Sequence, residues 1–314
     1  MREALVLGGV VVSVVCERIL FWGVATRLPS FRWPLFVLVC FANVCMHFNR
    51  TAFKGTGDKE YIVCIAFLSV LHGLLALLAA GCMEEPWRCV LLMHAGSLYY
   101  LADQPKRSSW TVPAVLCLCF GILAAVISDK NPFAVGLYTF AWLLGGQSDR
   151  LRRHLVADGD VQVCKAQESI AVLIACIICL PCYVPFQRFF AIGKLAPPLS
   201  SVSDVLSNFH VCLLANDNPL ESDQCGIFSG LISLGWIVAH FTSALLVKLA
   251  ASFRPVEDVA VIHTAALVIA ALLLFTRIHD VVEIVSAALL VSGMVFCHAK
   301  NESDADEASL LENR

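Results

Sequence analysis

The sequence predicts an all-α polytopic membrane protein that crosses the lipid bilayer ten times. Of its 314 residues, 59 % are apolar and only 15 % are charged, whereas soluble domains have about 45–50 % and about 25 %. A water-soluble globule of this composition would lack the polar side chains needed to cover its surface. The composition therefore excludes a soluble enzyme, a nucleic-acid-binding protein and a disordered scaffold, and the net charge of −3 predicts no partner attracted by a strong electric field.

The second observation is a series of ten apolar segments, most of them close to the length of about 17–25 residues that a helix needs to cross a bilayer. They cover residues 3–24, 33–48, 61–82, 87–103, 110–128, 131–147, 167–187, 226–250, 257–276 and 280–298. The first segment carries Glu17 and Arg18 and lacks a small-x-small cleavage site, so we interpret it as a retained span rather than a signal peptide. The second, fourth and sixth segments are short or interrupted. Tight links such as 84–86 and 129–132 predict antiparallel neighbours.

The third observation is the distribution of basic residues, which concentrate on the cytosolic side of membrane proteins. With both termini in the cytosol, fourteen basic residues lie inside, seven lie outside and Arg18 lies within a span, which accounts for all 22. This topology makes the linker near 148–165 cytosolic and the long loop 188–224 lumenal. The acidic tail 301–314 is predicted to be disordered. It contains an acidic dileucine sorting pattern formed by Asp306, Leu310 and Leu311.

Ten spans divide into two five-helix units, 1–128 and 129–300. His94 precedes Gly121 by 27 residues, and His263 precedes Gly293 by 30 residues, each pair separated by a polar hairpin. Because five is an odd number, the second unit would be inserted upside down relative to the first. Such 5+5 inverted repeats are typical of secondary transporters, which bind substrate between the repeats. A chance similarity between two apolar hairpins remains the alternative.

Motifs near the end of the chain resemble those of a known family. The segment 226–230, Gly-Ile-Phe-Ser-Gly, resembles a Gly-Phe-Phe-x-Gly-Tyr pattern; Trp236 follows it, and Leu245-Leu246-Val247-Lys248 resembles Val-Val-Lys. These motifs are similar to those of the nucleotide-sugar transporters of the drug/metabolite transporter superfamily, in the branch that carries CMP-sialic acid, UDP-galactose and UDP-N-acetylglucosamine. The resemblance covers the whole chain in topology and the last quarter in motifs. The chain departs from the pattern at Leu231, where the family has Tyr, and at Pro255, where it has Lys.

The resemblance implies a secondary-active antiporter of the Golgi membrane, with the ER or endolysosomal membrane as the alternative. It would exchange a nucleotide sugar for a nucleoside monophosphate by alternating access, without a cofactor and without enzymatic activity; a homodimer is left open. Two other functions remain open: a transporter-like protein that acts as a binding or assembly partner, and a carrier of another small metabolite. The sequence lacks a phosphate-binding loop for ATP and the motifs of intramembrane serine proteases and metalloproteases.

Basic residues within spans are candidate site residues because an uncompensated charge in the hydrocarbon core costs several kcal/mol. The candidate substrate-binding residues are Lys248, Arg88, His72, His94, Trp236, Ser229 and Arg18. The alternatives are snorkelling to the headgroups for Lys248 and Arg18, an ion pair with the glutamates at 84–85 for Arg88, and packing on a neighbouring helix for Trp236. For the histidines, the alternative is hydrogen bonding across helices.

Small residues predict where helices pack closely and where they move against each other. The candidate packing or gating residues are Gly226, Gly230, Gly121 and Gly293. Most of the fifteen cysteines lie in apolar runs, where Cys packs as a small hydrophobe. The spacing of Cys176 and Cys179 suits zinc, but no second ligand pair completes a site, so no metal is predicted. Cys212 and Cys225 flank the long loop; free thiols are favoured over the disulfide that an oxidising lumen would permit.

Overall fold

A computed structural model describes the protein over residues 2–28, 31–47, 59–83, 85–103, 109–157, 161–190, 202–214, 224–254, 256–275 and 280–298. Within these ranges the chain forms twelve α-helices and one 3₁₀ turn, and it contains no strand. The helices are α1 (Arg2–Arg27), α2 (Arg32–His47), α3 (Lys59–Ala80), α4 (Pro86–Leu91), α5 (Ser97–Asp103), α6 (Thr111–Ser128), α7 (Pro132–Ala157), α8 (Val161–Phe190), α9 (Val202–Leu214), α10 (Ile227–Ala250), α11 (Val256–Leu274) and α12 (Val281–His298). The 3₁₀ turn Leu92–Gly96 joins α4 to α5.

Six of the described helices (α1, α3, α6, α8, α10 and α12) are long and apolar enough to cross a membrane. Two shorter apolar helices are α2 and the Asp258–Leu274 part of α11. The chain is therefore an all-helical protein with the character of a multi-pass membrane protein. All ten predicted segments coincide with described helices, and the fourth is divided between α4, the 3₁₀ turn and α5.

The segments outside the predicted spans are more helical than we expected. The linker near 148–165 is largely helical, because α7 continues to Ala157 and α8 begins at Val161. The long loop 188–224 includes a helix of its own, α9. The tail 301–314, with the sorting residues Asp306, Leu310 and Leu311, lies outside the described residues.

Long-range packing pairs helices that are distant in sequence. The most extensive contacts join α6 to α12, α1 to α10, and α3 to α7. Further contacts join α1 to α11, α2 to α8, α4 to α11, and α7 to the 3₁₀ turn and α5. In a bilayer, helices associate by close packing and hydrogen bonds rather than by hydrophobic burial, so small side chains are found at such contacts.

The contact between α6 and α12 is reciprocal. A Cβ added at Gly121 of α6 would lie 2.8 Å from Cγ of Leu290, and a Cβ added at Gly293 of α12 would lie 2.8 Å from Cγ of Leu118. Ser286 Oγ also donates a hydrogen bond of 2.9 Å to the carbonyl oxygen of Gly121. Each helix therefore offers a leucine to the space that a glycine leaves in the other helix, and we call this contact the Leu–Gly seam.

Replacing Gly121 with alanine is expected to lower the free energy of unfolding by about 1–3 kcal/mol, as overpacking does in a filled core. Gly136→Ala is a matched control, because a Cβ at Gly136 in the second turn of α7 meets nothing within 4 Å. That variant should leave stability unchanged or raise it slightly, since alanine favours helix over glycine. Thermal unfolding of the detergent-solubilised variants measures both effects, and equal stabilities for the two variants would contradict the seam.

Helix α9 is fastened to the start of α10. Cys212 and Cys225 form a disulfide, so the expectation of free thiols is wrong. The two cysteines meet because the N–H of Gly226 donates a 2.9 Å hydrogen bond to the carbonyl oxygen of Cys212. Gly226 has a φ of 130°, which suits glycine alone. A Cβ at Gly230 would lie 2.6 Å from the carbonyl oxygen of Leu213, so glycine is what lets α9 approach α10.

Candidate functional site

A cavity of about 460 Å³ lies among α2, α3, α7 and α8, with His240 of α10 in its wall. It extends from the middle of the bundle to the end where α2 finishes and α8 begins. Its volume falls within the range of about 300–1,000 Å³ of small-molecule sites. The polar or charged lining residues are Asn43, His47, Ser69, His72, Ser148, Asp149, Arg152, Lys165, Glu168, Ser169 and His240.

Arg152 is the centre of an ionic group in the cavity wall. Its Nε donates to Glu168 Oε1 on α8 at 2.6 Å, its Nη1 donates to Asp149, and its Nη2 donates to Ser69 Oγ on α3 at 3.0 Å. Burial opposes the charged guanidinium, but the two carboxylates outweigh burial and raise the pKa of Arg152 above its usual value. Lys165 lies three residues before Glu168 and is exposed. The four ionic side chains among the described lining residues therefore sum to zero formal charge.

The wall on the α3–α7 side combines an imidazole with an aromatic ring. His72 Nδ1 lies 2.7 Å from the carbonyl oxygen of Ala141. Because a carbonyl only accepts, Nδ1 carries the hydrogen and Nε2 remains an acceptor. The His72 and Trp142 rings meet edge to face with centroids 4.5 Å apart. A Cβ at Gly145 would lie 3.1 Å from His72 Nδ1, so a small residue on α7 makes room for the imidazole.

A buried polar contact joins α1 to α10 beside the cavity. Glu17 Oε1 accepts hydrogen bonds from His240 Nδ1 at 2.8 Å and from Arg18 Nη2 at 3.1 Å. Glu17 is only 4 % exposed. The carboxylate is thus paired where an isolated charge would be unfavourable.

The other end of the bundle is closely packed. The largest fully buried side chains include Trp33, Trp87 and Arg32. Arg32 Nε donates to the carbonyl oxygen of Ala25 at 2.7 Å, and a Cβ at Gly81 would clash with the Arg32 guanidinium. The starts of α2 and α4 and the ends of α1 and α3 are therefore packed together at this end.

Arg88 lies in this packed end and not in the cavity. Its side chain is fully buried between Asp129, which accepts from Nη1, and Glu283, whose Oε1 lies 2.8 Å from Nη2. Ser128 Oγ lies 3.2 Å from the same nitrogen. The ionic partners come from the start of α12 and the α6–α7 link, whereas the sequence alternative named the neighbouring glutamates at 84–85.

Among the described residues, His72 is the one predicted substrate-binding residue that lines the cavity. Lys248 is exposed in the last turn of α10 and, like Lys165, is close enough to His47 for its charge to act on it. Trp236 packs against Phe21 of α1 with ring centroids 5.9 Å apart, which is the packing alternative.

The remaining predicted residues lie elsewhere in the bundle. Ser229 Oγ donates to the carbonyl oxygen of Gln224 at the α9 end of α10. His94 lies in the 3₁₀ turn, and within the described part of the chain its buried Nε2 has no hydrogen-bond partner. Arg18 is paired with Glu17, whose other partner, His240, lines the cavity.

Sequence reasoning missed the ionic group around Arg152. Arg152 and Glu168 fall in the segment that we interpreted as a linker, although the helical pattern of spans six and seven can be extended through them. Continuing the two helices past the apolar segments would have placed both residues at adjoining helix ends.

No protein-family model and no curated protein sequence matches the chain. The function is therefore inferred from the site itself.

Proposed function

We propose that the protein is a secondary-active transporter that moves a nucleotide sugar in exchange for a nucleoside monophosphate across an endomembrane, with the Golgi as the expected location. The observation that carries this proposal is the cavity, which combines two cations, an aromatic ring and several hydroxyl and amide groups.

Most of the extensive helix pairings support a ten-span inverted repeat; the contact of α3 with α8 has no comparable counterpart between α10 and α2 among the described residues. A 5+5 repeat relates each predicted span to the span five places further along. The first span, α1, therefore corresponds to the sixth, α7, and the third span, α3, corresponds to the eighth, α10. The contact of α1 with α10 then becomes the contact of α7 with α3, and both are among the most extensive. The contact of α1 with α11 becomes that of α7 with the 3₁₀ turn and α5, which also exists. The contacts α6–α12, α2–α8 and α4–α11 each join two corresponding spans, so the repeat relates each of these contacts to itself.

The disulfide supports cytosolic termini. The Cys212–Cys225 bond lies near the end of α1, because the N–H of Gln224 donates to the carbonyl oxygen of Arg27. The start of α1 is at the opposite end of the same helix. Disulfides persist in the lumen of the secretory pathway and are rare in the cytosol, so this bond favours a lumenal α9 and a cytosolic start of the chain.

The cavity lining suits the parts of a nucleotide sugar. Lys165 and Arg152 can bind phosphate oxygens, and charge-assisted hydrogen bonds of this type are the stronger ones. Trp142 offers a ring to the base, and Asn43 and Ser69 can bind sugar hydroxyls. The cavity lies toward the end of the bundle where α8 begins, and the opposite end is closely packed. Alternating access requires one state that is open at one end of the bundle and closed at the other, and this arrangement suits that state.

Transport by purified protein tests this proposal. Liposomes containing the protein are preloaded with UMP, CMP or GMP, and uptake of labelled nucleotide sugars is measured. Uptake of one sugar, stimulated by a matching internal monophosphate, is expected, whereas liposomes without protein or without internal nucleotide should remain near background. Folded protein that exchanges no member of the panel would contradict the proposal.

The charge balance of the cavity favours one second candidate, a carrier of a smaller zwitterionic metabolite. Arg152 and Lys165 are matched by Asp149 and Glu168, an arrangement that can bind both ends of a zwitterion. A thermal-shift screen separates the candidates, because a ligand that binds the folded state raises its stability with the logarithm of ligand concentration. Stabilisation by amino acids or similar zwitterions, and not by nucleotides, would favour the second candidate.

A further inference from the structure

We propose that the cavity binds a proton together with its anionic ligand, and that the proton-binding site is His240 held by Glu17. This inference rests on the proposed function, because it assumes an anionic ligand in the cavity. It assigns a role to a buried contact that the binding of phosphate and base does not use.

The hydrogen bond fixes how the imidazole is oriented. Glu17 Oε1 lies 2.8 Å from His240 Nδ1, and an ionised carboxylate only accepts, so Nδ1 carries the hydrogen. Nε2 of His240 is then the nitrogen that can take up a second proton. The carboxylate would stabilise the imidazolium that results, as carboxylates do for histidines that change charge.

Among the described residues, the imidazole is the member of the pair that lines the cavity. The side chain of His240 is 33 % exposed, whereas that of Glu17 is 6 % exposed. His240 also lines the cavity, so water and protons reach the imidazole while the carboxylate stays behind it. Arg18, at 3.1 Å from the same carboxylate oxygen, neutralises Glu17, which leaves the charge of His240 as the variable one.

The charge balance gives the coupling its direction. Because the four ionic lining residues sum to zero, protonation of His240 would give the cavity an excess of one positive charge. An anionic ligand then binds more tightly to the protonated site, and by linkage the bound ligand raises the affinity for the proton by the same factor. The two ligands therefore bind cooperatively.

The groups facing the pair come from every neighbouring helix. They are Arg18 on α1, His263 on α11, His72 on α3, His47 on α2, Asp149 and Arg152 on α7, and Lys165 and Glu168 on α8, with His94 of the 3₁₀ turn and His298 of α12 beyond Arg18 and His263. The carboxylates and cations of α7 and α8 compensate one another, and Nδ1 of His72 is engaged by the carbonyl oxygen of Ala141. His47 and His72, whose Nε2 remains an acceptor, are the other lining imidazoles against which His240 must be tested.

The experiment measures how ligand affinity depends on pH. The probe is a nucleotide sugar, because its pyrophosphate diester does not titrate near neutral pH, and its Kd is measured with purified full-length protein in detergent at several pH values on both sides of about 6.5, the usual pKa of histidine. We expect binding to strengthen by up to about tenfold per pH unit as the pH falls, the limit for one linked proton. In weakly buffered solution, proton uptake on ligand binding should approach one per ligand.

Variants assign the proton to its residue. His240→Gln should remove the pH dependence and the proton uptake, and Glu17→Gln should weaken both. His154→Gln, at an exposed position of α7, should keep the pH dependence. The variants of the other two lining imidazoles, His47→Gln and His72→Gln, should keep it as well. A Kd of the wild-type protein that does not change with pH, or a pH dependence that persists in His240→Gln, would overturn the proton site. Failure of the wild-type protein to bind any nucleotide sugar at any pH would overturn the proposed function as well, so the two failures are distinguishable.

Discussion

Replacing Arg88 with leucine is expected to lower the free energy of unfolding by about 3–5 kcal/mol, which is the range for breaking a buried ion pair from one side. The guanidinium is fully buried and contacts the carboxylates of Asp129 and Glu283. Removing it would leave the two carboxylates in a buried site without the cation that compensates them. Their repulsion and loss of solvation both act against the folded state.

Thermal unfolding in detergent measures this effect, with two comparisons. Arg254→Leu removes an arginine that pairs with Glu3 at the exposed surface, where ion pairs contribute little, and it should unfold close to the wild type. The triple variant Arg88→Leu, Asp129→Asn and Glu283→Gln should recover part of the loss, because it also removes the two carboxylate charges that Arg88 compensates. An Arg88→Leu protein as stable as the wild type would show that the ion pairs of Arg88 with Asp129 and Glu283 do not hold α4 to α12.

Neutralising both cations of the cavity is expected to weaken nucleotide-sugar binding by at least about a hundredfold. A hydrogen bond to a charged group contributes about 1.5–3 kcal/mol, which corresponds to roughly tenfold to more than a hundredfold in Kd for one contact. The double variant Arg152→Gln, Lys165→Gln also leaves Asp149 and Glu168 uncompensated, and these carboxylates repel phosphate. Equilibrium binding of a labelled nucleotide sugar to the purified protein measures the change.

The control variants test the sign of the electrostatic effect. Glu168→Gln should strengthen binding, because it removes a carboxylate that competes with the ligand for Arg152. Lys248→Gln alters an exposed lysine outside the cavity and should change the Kd by less than about threefold. If Glu168→Gln weakened nucleotide-sugar binding while the double variant strengthened it, Arg152 and Lys165 would not bind the phosphates, and the nucleotide-sugar proposal would be contradicted.

The positions of the helices could be predicted from the sequence, because a helix must be apolar over a well-defined length to cross a bilayer. The broken fourth span shows the limit of such reasoning: 87–103 has the composition of one helix, yet the chain forms the 3₁₀ turn Leu92–Gly96 in its middle. There the turn packs against α7 so closely that a Cβ at Gly96 would lie 2.9 Å from the carbonyl oxygen of Trp142. That contact is tertiary and leaves no signature in local hydropathy.

The residues of the candidate site were harder to predict than the helices, because the role of each side chain depends on which other side chains it contacts. Arg88 begins an apolar segment and Arg152 lies in a charged run after one, but the local sequence names no partner for either. The structure puts Arg88 among carboxylates in a fully buried contact and Arg152 in the wall of a cavity. The partners of Arg88 come from helices far apart along the chain, so one sequence cannot supply them. His72 was the exception, because a lone imidazole in an apolar run is conspicuous.

The Leu–Gly seam between α6 and α12 restricts how related chains can diverge. Leu118 faces Gly293 and Gly121 faces Leu290, so each large residue has a small counterpart on the other helix. A bulkier side chain at either glycine position is compatible with the seam only if the opposing leucine shrinks. Among homologues, substitutions at these four positions should therefore occur as two coupled pairs, and a pair that has exchanged its large and small members would keep the same interhelical spacing.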